Sequence, residues 1–186
     1  MSTAGTSGPV LVELDEELWS DWRDRIAAWL GNVTMTQSTF RRMAGDTAEK
    51  ISEPHIKRYL TEIAEEAGRH EQKIDDLYRI IGRQASGGRR LGAAAMSRVQ
   101  QVMGQLVGKA GGAPRAEWNL LRQLLPVNLD SIGAFSTAQQ LGLALGLHEF
   151  AESIFPIVRR KEEHQLLIME FMLEMGPQAI LYRGGV

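Results

Sequence analysis

The chain has 186 residues, 44% of them hydrophobic and 24% charged, a balance that suits one globular domain able to bury a sizeable core. Its formal net charge of -2 gives no general pull toward nucleic acid or anionic membranes, so no nucleic-acid partner is expected. Cysteine is absent, which excludes disulfides and thiolate sites and leaves any metal to His, Asp and Glu.

The opening MSTAGTSGPV lacks a basic stretch followed by an apolar run. It reads as no signal peptide, and residues 1–12 are expected to be a flexible N-terminus of a cytoplasmic protein. A first helix is predicted over about residues 13–49, with Trp22, Ile26, Leu30, Val33, Phe40 and Ala44 at helical spacing. Ser52 then reads as a cap and Pro54 as first-turn proline of a second helix that Gly82 stops. Its apolar stripe is Ile56, Leu60, Ile63, Ala67, His70, Ile74, Leu77 and Ile81. After the loop GRQASGGRRLG a short helix is expected over 92–109, packing Val99, Val102, Met103 and Leu106 on its neighbours. The segment around it holds Arg83, Arg89, Arg90, Arg98, Lys109 and Arg115 with no acid, and reads as a solvated face, an anion or membrane contact being the alternative.

The third helix is predicted over about 114–145 with Pro126 inside it, and the fourth over about 148–175 with Pro156 inside it. Each proline removes one backbone hydrogen bond and is expected to bend its helix. Residues 176–186 read as an irregular tail. LLIMEFML, the most apolar run, contains Glu170 and is too short to span a membrane. Two long helices, a crossover and two more long helices make an all-α, antiparallel four-helix bundle over 13–175.

Polar residues on the apolar stripes are the informative ones. In AEEAGRHEQKI, Glu66 and His70 lie on or beside the stripe of the second helix and point into the bundle, whereas Glu62, Glu65, Arg69 and Asp76 lie opposite. Helical spacing also places Gln37, Asn128, Ser131 and Lys161 on buried stripes. These six residues are expected to form a polar layer at mid-height.

EPHIKRYLTEIAEEAGRHEQKIDDLYRIIG resembles the second helix of ferritin-like proteins, specifically the bacterial YciF-like stress-protein branch, with a proline-started helix and Glu-x-x-x-His. AMSRVQQVMGQLV and IGAFSTAQQLGLALGLHEFAE resemble the same branch. General ferritins carry Glu-x-x-His, and the position three before His70 is Ala67 here. The resemblance implies a ferritin-like bundle with an extra crossover helix and a di-iron site. Carried over, its metal positions keep Glu66 and His70. The remainder fall at Gln37, around Asn128, Leu129 and Ser131, and around Arg160, Lys161 and Glu163.

Two ferrous ions call for about four carboxylates plus histidine. One clear carboxylate is present, with Asp130, Glu162, Glu163 and His164 less well aimed, and a lysine ammonium opposes a cation. A standard di-iron centre is therefore not expected, although iron remains a candidate cofactor. Lys161 is expected to pair with Glu66 in the metal's place. The leading expectation is a non-catalytic, stress-associated or partner-binding bundle with a dismantled di-iron site. One alternative is a divergent metal-dependent oxidase or iron-binding protein using Glu66 and His70 as ligands. The other is a helical module binding a small molecule or an anion. Trp19, Trp22 and Trp29 span more than one face of the first helix, so a homodimer or protein partner is expected there.

Overall fold

The computed structural model describes residues 15–85 and 114–181. The short helix expected over 92–109, with most of the arginines around it, lies outside the described residues, as do residues 1–14 and the last five. The described chain forms four helices: α1 (Glu16–Lys50), α2 (Pro54–Ile80), α3 (Pro114–Ala144) and α4 (His148–Leu181).

Local chemistry sets the helix ends. The Asp15 carboxylate accepts from Glu17 N at 3.2 Å, and Glu16 and Glu17 face the positive end of the α1 dipole. Pro54 opens α2, but Ser52 does not cap it. The backbone N–H and hydroxyl of Ser52 donate to Glu117 Oε2 at 3.0 and 2.9 Å instead, tying the α1–α2 turn to the start of α3. Glu117 is buried because it serves this turn. Gly82 ends α2 at φ 64, a left-handed conformation that only glycine adopts cheaply. Gly146 (φ 68) ends α3, with Leu147 N bonding back to Gly142 O at 2.8 Å, and the chain then turns directly into α4.

α1 packs on α2 and α3, and α4 packs on α3 and α2, so the helices stand in a square with antiparallel neighbours. The backbones of α2 and α4 approach least closely. The predicted stripe of α2 is buried along its whole length, from Ile56 to Ile81. The core has two apolar clusters. One gathers Phe40, Met43, Leu60, Leu121 and Phe171 toward the α1–α2 turn. The other gathers Leu30, Leu77, Phe135, Phe150 and Ile154 toward the opposite end.

One further expectation is corrected. The fourth helix does not stop at Met175 but runs through Pro177 to Leu181, because Met175, Gly176 and Ala179 are buried and hold the last turns in place. Beside Gly176, Trp118 Nε1 donates to Met172 O at 3.0 Å. Two tryptophans of α1, Trp29 and Trp19, make contacts inside the chain. Trp29 Nε1 donates to Ala134 O at 2.9 Å across α3, and Arg23 lies over the Trp19 ring. α3 and α4 stay helical through Pro126 and Pro156. Among the described residues, no helix is long and apolar enough to cross a membrane.

Candidate functional site: a polar layer between two apolar clusters

Halfway along the bundle, between the two clusters, the four helices each contribute polar groups to the core. Gln37 of α1 is fully buried and touches all three other helices. Its Nε2 donates to Ala67 O of α2 at 2.8 Å. Its Oε1 accepts from Ser131 Oγ of α3 at 2.8 Å and from Lys161 Nζ of α4 at 2.9 Å. Both lone pairs of that oxygen are therefore used. Asn128 of α3 donates both amide hydrogens to α4, to Lys161 O at 3.0 Å and Gln165 Oε1 at 2.9 Å.

Lys161 is 0% exposed. Its ammonium has the Gln37 oxygen as acceptor and lies 4.1 Å from the centre of the Phe40 ring, whose face attracts a cation. Burial without a neighbouring carboxylate brings its pKa down to about 7.

The expected Lys161–Glu66 pair is not formed. Glu66 stands at the α2–α4 edge, its side chain 21% exposed, and its Oε2 accepts from Arg160 Nε at 2.8 Å and His164 Nε2 at 3.1 Å. Arg160 reaches Glu66 from the surface while also holding Glu163 at 2.6 Å, so neither guanidinium nor carboxylate leaves water completely. That is a cheaper pairing than burying both charges. Burial pushes the Glu66 carboxyl up, but the Arg160 hydrogen bond and charge, with His164, hold it below the usual range.

His164 and His70 are both buried, and burial is the main cause that lowers each imidazole to about 4. The nearby Lys161 charge adds to this at His70, while Glu66 opposes it at both rings. With Nε2–H of His164 turned to Glu66, Nδ1 is left a bare lone pair in the core. His70 Nδ1 and Asn128 Oδ1 likewise find no hydrogen-bond partner.

Helical spacing alone singles out Gln37, His70, Asn128, Ser131 and Lys161, and the structure brings all five into the core at one level. It leaves Glu66 at the rim. His164 joins the layer, whereas Glu162 and Glu163 form surface pairs with Arg159 and Arg160 and Asp130 is exposed. Gln165 is a participant that periodicity overlooks, although its place four residues after Lys161 puts it on nearly the same face. Of the basic crossover residues, Arg83 holds Asp24 and Ser20 of α1, and Arg115 is exposed. His55 meets Glu174 at the surface at 3.0 Å.

A search of solved structures matches the E. coli stress protein YciF with a TM-score of 0.73, covering 84% of this chain and 98% of that one at 11% identity. The fold is YciF-like and ferritin-like. No protein-family model matches the sequence, and no curated protein does.

Ferritin-like bundles hold a di-iron centre between glutamates and histidines at such a level. The donors here do not fit one. An ammonium, two amides and a hydroxyl occupy the centre of the layer, and its one carboxylate is engaged by Arg160 and His164. Among the described residues, no group of three or more His, Asp or Glu could hold a metal ion.

Proposed function

We propose that this chain is a non-catalytic, stress-associated ferritin-like protein whose polar layer replaces a di-iron centre, and that it works by association with a partner or a second copy of itself. The observation that carries the reading is the Lys161 ammonium, fully buried and bound to the hub amide of Gln37. Below about pH 7 it puts a cationic group at a level where the fold elsewhere places metal, so the layer there repels a second cation. The stress association rests on the likeness to the E. coli stress protein YciF.

The test is metal content. Protein purified from iron-supplemented cells is expected to carry no stoichiometric iron and to show no ferrous oxidation above background. The variant Gln37→Glu, Asn128→Glu, Lys161→Glu restores carboxylates on three helices beside His70 and is expected to gain ferrous binding. A pair of irons per natural chain would overturn this reading and make Glu66 and His70 ligands of a divergent oxidase.

A further inference from the structure

α4 turns one side to the core, and its opposite side is apolar as well. Phe155 is 56% exposed, Leu166 57%, Met169 41%, Leu173 62% and Ile180 61%. At 3.6 residues per turn these five side chains fall within about 60° of arc, a single strip along the outer face of the helix. Arg159 and Glu162 lie in the same strip and neutralise each other at 2.6 Å. At these exposures the strip offers on the order of 500 Å² of apolar surface, near the upper end for the largest patch on a monomer. That is more than half of the ~800 Å² that each partner contributes to a stable interface.

We propose that the strip is the interface with a second copy of this chain, α4 packing antiparallel on α4 about a two-fold axis near residues 167–168. The strip is nearly symmetric about that point, as an isologous interface requires. Phe155 and Ile180 stand equally far from it on either side, Leu166 and Met169 flank it, and Leu173 is matched by Glu162, whose carboxylate Arg159 holds. Antiparallel packing thus sets Phe155 on the partner's Ile180 and Leu166 on the partner's Met169. Charge favours the same direction. Arg159 comes beside the partner's Glu174, whereas parallel packing would stack Glu162, which lies in the middle of the strip, on the partner's Glu162.

This rests on the proposed role in association and names the partner. Assembly state is read independently of metal content, so the two readings fail separately. The chain has no cysteine, so introduced thiols report without background. Light scattering of the full chain is expected to give a dimer. Leu166→Glu with Leu173→Glu, both at exposed positions, is expected to give a monomer with unchanged helical circular dichroism. Phe155→Cys with Ile180→Cys should cross-link the copies on oxidation. Phe155→Cys alone should not, because the two thiols would sit about 37 Å apart along the paired helices. A full chain that stays monomeric at high concentration overturns the proposal, whether the strip then proves free or binds phosphatidylcholine vesicles. So does a glutamate double variant that remains dimeric. Cross-linking by Phe155→Cys alone would overturn the antiparallel arrangement.

Discussion

Lys161 sits where its charge has the least to gain. The unfolded chain keeps the proton on this amine up to about pH 10.5, and the folded chain releases it near pH 7. Folding is therefore penalised in full below pH 7, and stability rises between the two values. Lys161→Met is expected to stabilise the protein by about 1–3 kcal/mol at pH 6, because it removes a buried charge that no carboxylate answers. The gain should shrink as the pH is raised toward 10, and urea unfolding at several pH values reads both effects. Gln37 Oε1 keeps Ser131 as a donor in that variant.

The imidazoles of His70 and His164 act in the same direction at lower pH, taking protons near 6.5 when unfolded and near 4 when folded. Stability should be lost as pH falls from about 6.5 to 4, with His164→Gln removing a share on the order of 2 kcal/mol between those limits. A stability profile flat across that window in the natural chain would refute the assignment. Periodicity placed Lys161 in the core, but it could not show which cation reaches Glu66. Position around a helix axis says little about reach across a gap, and Arg160, one residue away, has a longer side chain and a wet route.

Among the elements, the long stripes made α2 the most legible, since its stripe keeps helical spacing from Ile56 to Ile81, with His70 in register as its one polar member, and every position is buried. The end of α4 was not legible. Gly176 and Pro177 read locally as breakers, but a buried glycine under Trp118 and the burial of Ala179 outweigh that preference. The cap at Ser52 was misread for a related reason. A hydroxyl before a proline-started helix suggests local capping, while the actual acceptor, Glu117, is 65 residues away in sequence.

The α3–α4 hairpin offers a test at this scale. A Cβ on Gly142 would come 2.6 Å from Phe150 Cδ1, and Phe150 is fully buried in the cluster at the end opposite the α1–α2 turn. Gly142→Ala should destabilise the bundle by about 1–2 kcal/mol in a thermal melt, the overpacking exceeding alanine's gain in helix propensity. The same change at Gly133, where a Cβ meets nothing within 4 Å, should stabilise instead.

At the scale of the whole molecule, four helices with similar apolar faces have more than one way to stack. Sliding one helix along its neighbours by a turn, about 5.4 Å, would still set apolar side chains against apolar side chains in both clusters. The amide of Gln37 does not tolerate that slip. It meets a carbonyl of α2, a hydroxyl of α3 and an ammonium of α4 at one height only, and a displaced helix would leave those groups bare in an apolar medium. The layer thus works as a keyway: by penalising every other alignment more than the native one, it fixes the vertical alignment of the helices, and with it the height at which Phe155 and Ile180 stand on the outer face.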